Sequence, residues 1–446
     1  MDKKLKYFGT DGIRGVVGVS LTEDIAVKIG LGLRYALGMS AKRPRVLVGK
    51  DTRISSGMLE SALVSGLLSS GVDVYLLGCV TTPAVSLLVR DGFDAGVMIT
   101  ASHNPYTDNG LKIFTPSGEK TDFDAELAIE KYIDSECIVN RATGADVGRT
   151  VFARRRLEIY RRFLLSNIDV DCSGIRVGVD SANGGAFRLL GEILASSGAE
   201  IHRIGASPNG VNINDGCGAT HTERLAKLVT DRGLDIGFAL DGDGDRCIAV
   251  DRFGNVLDGD KIICTLGADM MARGELRGNK VAVTIMSGVG LLPKLDSLGI
   301  LAVVTGVGDR CVADAMKKEG LSLGAERSGH IIFGDILDTG DGILSAIKIL
   351  SVMRRRNISS DMIGEGYVPF PMVNENLKYD EKHSPLCRPD FLSVKEKAEK
   401  MLGDGGRLIV RKSGTEPLLR VSAEGKSEEL CRSAIAMILN YIRNGY

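Results

Sequence analysis

Arg45-Val46-Leu47-Val48-Gly49-Lys50-Asp51 decides the fold, because a short aliphatic run that stops on polar residues is the mark of a buried strand. The period then changes. Met58, Leu59, Ala62, Leu63, Gly66 and Leu67 recur at three- and four-residue steps, which predicts a helix over Ser55–Ser70. Val72–Leu77 reads as the next strand, Pro83–Val89 as a short helix and Ala95–Thr100 as a third strand. Strands alternating with helices predict βαβ units and a mostly parallel sheet. The pattern restarts near Ile175 and again near Gly259. VGKDTRISSG (48–57), VGVDSANGG (177–185) and VTIMSGVG (283–290) each run from strand through small-residue turn into helix, an internal repeat of one α/β layer. After about residue 367 the style changes to a strand near Val373, a helix over Val394–Leu402, strands at Arg407–Val410 and Leu418–Ala423, and a helix from Ser427. The expected class is α/β, with three similar α/β domains of mixed, mostly parallel sheets and a smaller C-terminal α+β domain. Joints at Arg141–Arg149, about 253–258 and about 366–370 give domains over 1–150, 151–255, 256–367 and 368–446. None of the joints is Pro-rich, so the domains are expected to pack around a central cleft.

Composition narrows the functions. The 446 residues carry 56 Lys+Arg against 57 Asp+Glu, a net charge of −1. A protein that coats nucleic acid or an anionic membrane needs an excess of positive charge, so neither partner is expected. Glycine is abundant, 56 residues, against about 7% in average usage. Tight turns and close backbone approaches follow. The longest charge-free run, Val74–Val89, is 16 residues and contains Thr81, Thr82 and Pro83. A membrane-spanning helix needs about 20 mostly apolar residues. The N-terminal Met1-Asp2-Lys3-Lys4-Leu5 has no apolar signal core. The nine cysteines are scattered and never spaced as C-x-x-C, which suits a reducing cytoplasm better than disulfides or a zinc site.

Three segments carry chemistry. Thr100-Ala101-Ser102-His103-Asn104-Pro105 follows a strand directly, where open α/β sheets place ligand chemistry. Asn104-Pro105 and Asp108-Asn109-Gly110 mark tight turns, so Ser102 is expected on an exposed loop. A serine hydroxyl needs a base or a metal to act as a nucleophile, and His103 and Lys112 are nearby. The same segment also fits a plain turn whose Ser and Asn bond the backbone. Asp241-Gly242-Asp243-Gly244-Asp245-Arg246 offers three carboxylates, separated by glycines, to one hard cation. It is no EF-hand, since the sixth position is Arg246 rather than Gly and the twelfth is Arg252 rather than Glu. Three carboxylates leave room for a phosphate oxygen, and Arg246 could hold a second one.

Arg411-Lys412-Ser413-Gly414-Thr415-Glu416-Pro417, with Arg420, offers backbone N–H groups, hydroxyls and guanidinium forks to a phosphate dianion. Neither G-x-x-x-x-G-K-[ST] nor an initial G-x-G-x-x-G is present, which removes support for nucleotide cofactors. Phe8-Gly9-Thr10-Asp11-Gly12-Ile13-Arg14-Gly15 places an Arg among glycines. Gly324-Ala325-Glu326-Arg327-Ser328-Gly329-His330 sets short polar side chains on one loop, suited to sugar hydroxyls. A serine, a divalent-cation site, an anion clamp and a hydroxyl-reading loop together describe phosphoserine chemistry, which needs positioning and charge stabilisation more than covalent help.

TASHNP, DGDGDR, GxExSGH and RKSGTEP, in this order and at these intervals, resemble the motifs of the α-D-phosphohexomutase superfamily. FGTDGIRG (8–15) and ITASHNPYTDNGLKIF (99–114) look most similar to its bacterial phosphoglucosamine mutase family, and the likeness runs from Tyr7 to about Ala423. The resemblance implies four domains around a cleft: a phosphoserine domain, a metal-binding domain, a sugar-binding domain and a phosphate-binding C-terminal domain. It implies that Ser102 is phosphorylated and that Asp241, Asp243 and Asp245 bind one Mg²⁺ together with that phosphate. Arg14 and Arg246 would brace the phosphoserine, and His103 and Lys112 would serve proton transfer or phosphate contact. Glu326 and Ser328 would read sugar hydroxyls with His330 nearby. Arg411, Ser413, Gly414, Thr415 and Arg420 would grip the phosphate that does not react.

The implied reaction interconverts α-D-glucosamine 6-phosphate and 1-phosphate through glucosamine 1,6-bisphosphate, in a cytoplasmic monomer or homodimer. Phosphomannomutase/phosphoglucomutase activity is the alternative on another sugar, and a metal-dependent sugar phosphatase the alternative of another class. One departure concerns the sugar loop, which in phosphoglucosamine mutases usually reads GGEQSGH and here has Ala325 and Arg327. An inward Arg would face the glucosamine ammonium in a dry cleft, so Arg327 is expected to point outward.

Overall fold

The computed structural model describes residues 5–135, 139–379, 386, 388–403, 405–412 and 418–443. The chain forms two compact units, one of residues 1–285 with 303–365 and one of 286–302 with 366–446. Among the described residues no helix is long and apolar enough to cross a membrane.

The first unit repeats one arrangement. In its opening sheet the strand Arg45–Lys50 lies between Asp73–Cys79 and Ala95–Ile99 and runs parallel to both. Asp108–Phe114 then returns antiparallel to Ala95–Ile99, with Val97 opposite Ile113. Gly12–Val16 and Phe8–Gly9 extend that flank, and Thr150–Phe152 closes the other. The second sheet has Arg176–Asp180 between Glu200–Ile204 and Ile236–Leu240, both parallel to it, and Cys247–Asp251 antiparallel on the Ile236–Leu240 side. In the third, Lys280–Thr284 lies between Leu301–Thr305 and Leu323–Ala325, with Ile331–Phe333 antiparallel to Leu323–Ala325. Each sheet thus has a parallel core and an antiparallel last strand, in the spatial order second, first, third, fourth.

That order places the chemistry. The turn from third to fourth strand is 100–107 in the first sheet, 241–246 in the second and 326–330 in the third. These turns hold the serine segment, the aspartate segment and the Glu-Ser-His segment. Three repeats of one topology therefore deliver three motifs from equivalent strand ends.

The helix Ser56–Ser69 covers the first sheet with Leu59, Leu63 and Leu67, all fully buried, and crosses the helix Glu23–Ala36. Gly30 and Gly66 meet at the crossing, where a β-carbon on Gly66 would lie 2.9 Å from the amide nitrogen of Leu31. Close approach of the two backbones is one use of the surplus glycine. The second unit has an antiparallel sheet with Leu418–Glu424 between Met372–Lys378 and Arg407–Lys412. Helices Phe391–Met401 and Glu428–Arg443 supply Phe391, Ala398, Ile435 and Ile438 to its core with Leu419 and Val421.

Gly66→Leu should lower stability by about 1–3 kcal/mol, since the added atoms meet backbone rather than movable side chain. Urea unfolding followed by circular dichroism measures it, and an unchanged midpoint would refute the crossing.

Candidate active site

Ser102 sits where the strand Ala95–Ile99 gives way to its turn, and the turn is pinned from below. Its N–H donates to Thr100 Oγ1 at 2.9 Å, and Thr100 Oγ1 donates to Asp51 Oδ2 at 2.7 Å. The fully buried Arg53 pairs through Nε with Asp51 Oδ2 at 2.9 Å. Its Nη2 donates to the carbonyls of Ser102 at 2.9 Å and Asn104 at 2.8 Å, and Asn214 Nδ2 donates to the same two carbonyls. These bonds hold Ser102 at φ 51°, in the left-handed region that a non-glycine residue occupies at a cost of about 1–3 kcal/mol.

The expectation of an exposed loop is corrected here. Ser102 is 0% exposed, because the aspartate turn lies over it and its Oγ donates to Asp241 Oδ2 at 2.6 Å. Turn chemistry places the loop at the end of a strand but says nothing about what a second sheet lays across it.

The aspartate turn needs its glycines. A β-carbon on Gly242 would fall 2.6 Å from the Ser102 carbonyl oxygen, and Gly244 has φ 72°. The carboxylates are all buried and offer oxygens within 4.8 Å of one another. Asp243 Oδ2 accepts from Thr82 Oγ1 at 2.5 Å and Lys112 Nζ at 2.8 Å, and Asp245 Oδ2 accepts from Lys112 Nζ at 3.1 Å. Asp241 Oδ1 accepts from the Arg246 N–H at 3.2 Å. Asp243 Oδ1 and Asp245 Oδ1 are buried without a hydrogen-bond partner among the described residues. Burial, then Asp245 and Asp243, push the Asp241 carboxyl well above the usual carboxylate range. Two orphaned oxygens beside a third carboxyl that resists ionising are the features a hard divalent cation satisfies. The residues present fit such an ion.

Cations compensate part of the charge. Lys112 is 1% exposed and has Asp243 at 2.8 Å, Asp11 at 3.0 Å and Asp245 at 3.1 Å. Burial alone would lower its pKa, but those three carboxylates outweigh it and raise it well above normal. Arg14 pairs with Asp11, and Lys120 bridges Asp11 and Asp309. Arg246 Nε stands 3.9 Å from Asp245 Oδ1 and, like Arg14 Nε, has no hydrogen-bond partner among the described residues. His103 Nδ1 is 3.4 Å from Ser102 Oγ, and burial, then Arg246 and Arg14, push its pKa down to about 3. His103 is therefore neutral in this cationic surrounding, and a phosphate dianion beside it would raise its proton affinity.

From the third sheet, His330 is buried with Nδ1 3.7 Å from Asp245 Oδ1, while its Nε2 accepts from the Gly340 N–H at 3.1 Å. The Glu326 N–H donates to the His330 carbonyl at 2.9 Å, which closes the loop, and burial raises the Glu326 carboxyl. Ser328 is exposed at its tip. Arg327 Nε donates to Asp258 Oδ2 at 3.1 Å and lies 3.9 Å from Asp260 Oδ2, so its charge is answered by the start of the helix Gly259–Ala272. In the second unit Arg411 and Arg420 face each other across neighbouring strands. Burial, then Arg420, lowers the Arg411 pKa, and Arg420 Nε is buried without a hydrogen-bond partner among the described residues. Ser413, Gly414 and Thr415 lie outside the described residues.

The structure thus brings Ser102, His103, Lys112, Arg14, Arg246, His330 and the three aspartates into one charged cluster. Sequence reading missed Asp11, Lys120 and Asp309, which join the first and third sheets, and Arg53 beneath the serine. Asp11 and Arg53 lie inside quoted motifs, whereas Lys120 and Asp309 stand alone and had no spacing to reveal them.

Family models for the α/β/α domains I, II and III and the C-terminal domain of phosphoglucomutase/phosphomannomutase match residues 5–137, 158–254, 258–368 and 375–440. The chain belongs to this family, the α-D-phosphohexomutases. Within it, the phosphoglucosamine mutase of Halalkalibacterium halodurans is 44% identical over 98% of this chain and 98% of its own. The fold matches a phosphoglucomutase/phosphomannomutase family protein from Burkholderia thailandensis at 21% identity and TM-score 0.80, over 98% of this chain and 97% of that one. It also matches N-acetylphosphoglucosamine mutase from Aspergillus fumigatus, solved with GlcNAc-6P and magnesium, at 18% identity and TM-score 0.68, over 99% and 96% of the two chains.

Mg²⁺ at a hundredfold above its Kd should stabilise the protein by about 2.7 kcal/mol. Asp243→Asn should lose most of that gain, as read by urea unfolding with and without EDTA. An equal gain in the variant would contradict a cation site at the triplet.

Proposed function

We propose that this chain is a phosphoglucosamine mutase that works through phosphoserine 102. One observation carries the reading: a serine oxygen hydrogen-bonded at 2.6 Å to a buried carboxylate triplet, two of whose oxygens have no hydrogen-bond partner among the described residues. In the reaction, the bond between Ser102 Oγ and phosphorus breaks and a bond forms from phosphorus to the C1 hydroxyl oxygen of α-D-glucosamine 6-phosphate. The C1 hydroxyl proton passes to a nearby base and Ser102 Oγ takes up a proton as its bond to phosphorus breaks; His103, with Nδ1 3.4 Å from Ser102 Oγ, is the side chain placed to carry it. The product, glucosamine 1,6-bisphosphate, turns end for end, returns its other phosphoryl group to Ser102 and leaves as the 1-phosphate.

Lys112, held charged by its three carboxylates, stays a cation beside the transferring group, and Arg14 and Arg246 direct their free Nε atoms toward phosphate oxygens. Asp241, Asp243 and Asp245 would hold one Mg²⁺ together with the Ser102 phosphate. When bound, that ion supplies charge neutralisation at the phosphoryl oxygens. Glu326 and Ser328 read sugar hydroxyls with His330 beside them. Arg411, Ser413, Gly414, Thr415 and Arg420 hold the distal phosphate, and one such clamp serves both orientations because either phosphate fits it.

Four domains over 1–150, 151–255, 256–367 and 368–446 are assigned the phosphoserine, the metal, the sugar and the distal phosphate. We place the protein in the cytoplasm as a monomer or homodimer acting on a small sugar phosphate. The seven described cysteines that are free thiols support a reducing compartment. Arg327, neutralised by Asp258, leaves the ammonium of glucosamine tolerable.

The test uses protein phosphorylated at Ser102 with Mg²⁺ and the 6-phosphates of glucosamine, glucose and mannose. Glucosamine 6-phosphate should be isomerised fastest with almost no phosphate release, and Ser102→Ala should lower turnover by about a thousandfold or more. A preference for mannose moves the chain to phosphomannomutase, and steady phosphate release to a sugar phosphatase. Either result would overturn the proposal.

A further inference from the structure

A cavity of about 630 Å³ opens beside the peptide segments that hold the aspartate turn, and neither Ser102 nor the three aspartates line it. Its wall is aliphatic and aromatic, with Leu77, Val80, Ala84, Leu157, Phe187 and Leu189. Its rim is cationic. Arg154, Arg155 and Arg188 are exposed there and form no ion pair among the described residues. Arg161 is answered by Glu158 at 3.6 Å, which leaves Glu192 as the lining carboxylate without a cation partner among the described residues. The Arg188 guanidinium carbon stands 5.1 Å from the Phe187 ring centroid, a flat surface on which another ring can stack.

The chemistry excludes two simple occupants. A bare phosphate would satisfy the arginines and leave the apolar wall wet. A neutral apolar ligand would fill the wall and make no use of the rim. A ring-bearing body joined to a phosphate uses both, and the volume is in the range of about 300–1,000 Å³ usual for small-molecule sites.

The cavity is also tied to the metal turn. The Thr82 N–H donates to the Asp243 carbonyl at 2.9 Å, and Val80 and Thr81, the residues before it, line the cavity. On the other side Gly185 lines the cavity, and its N–H donates to the Gly242 carbonyl at 2.8 Å. Tyr160, also in the lining, donates its hydroxyl to Asp341 Oδ2 at 2.8 Å, and the Gly342 N–H donates to the Gly244 carbonyl at 2.9 Å. Anything that shifts the cavity wall therefore pulls on the backbone of residues 242–244.

We propose that this cavity is an effector site for a nucleoside phosphate, coupled to the metal turn through Thr82 and Gly185. The proposal concerns binding and metal affinity, so it stands or falls independently of which sugar the enzyme turns over. Isothermal titration with adenosine monophosphate, on the full-length Mg²⁺-loaded protein, tests it. Adenosine monophosphate should bind, and adenosine or inorganic phosphate should each bind about tenfold more weakly or worse. The double variant Arg154→Glu/Arg188→Glu should weaken nucleotide binding by at least about tenfold while leaving basal turnover unchanged, and Arg155→Glu alone should weaken it in the same direction. Saturating nucleotide should shift Mg²⁺ affinity, and Mg²⁺ should shift nucleotide affinity by the same factor. No binding at millimolar nucleotide, equal binding to the variants, displacement by glucosamine 6-phosphate, or an unchanged Mg²⁺ affinity would each overturn the proposal.

Discussion

Three carboxylates forced together in a dry pocket, with a serine oxygen on one of them, set the terms for the rest of this protein. Like charges so close in a low-dielectric interior repel strongly, and Asp241 answers by resisting ionisation. The fold counters this with the buried Lys112 and the hydroxyl of Thr82, and among the described residues leaves two carboxylate oxygens without a hydrogen bond. Those oxygens are what an ion and a phosphoryl group can exploit. The arrangement is stable enough to exist because Arg53, Asp51 and Asn214 clamp the backbone on the serine side, where a left-handed serine would otherwise relax.

Repetition explains how a single site can draw on remote parts of the chain. A turn between a parallel third strand and an antiparallel fourth recurs three times, and each copy contributes one chemical element. Small bridging groups then lock the copies together. Thr82 reaches Asp243, Tyr160 reaches Asp341, Lys120 reaches Asp309, and Arg310 pairs with Glu126. These long-range bonds tie the aspartate turn to segments that come from all three sheets.

Much of this was legible in the sequence, and the reasons differ by feature. Arg45–Asp51 reads as a strand because its aliphatic run is unbroken, and the helix after it because Leu59, Leu63 and Leu67 keep one face. The aspartate turn is legible because alternating Asp and Gly have few structural uses other than gathering oxygens. Burial of Ser102 was not legible, since it depends on Gly242 permitting another sheet's turn to lie against it. Asp11, Lys120 and Asp309 escaped for a related reason. Residues 109 and 189 positions apart meet only once the first and third sheets are assembled. Arg327 is an intermediate case: the substitution is visible at once, but its partner Asp258 caps a helix that lies 69 residues earlier.

Phosphorus NMR of the phosphorylated protein, titrated with Mn²⁺ as a paramagnetic stand-in, examines the central arrangement most directly. The phosphoserine resonance should broaden beyond detection at stoichiometric metal and stay sharp when Asp243 is replaced by Asn. A sharp resonance in the unaltered protein with one equivalent of Mn²⁺ bound would mean that the serine and the aspartate turn do not share an ion.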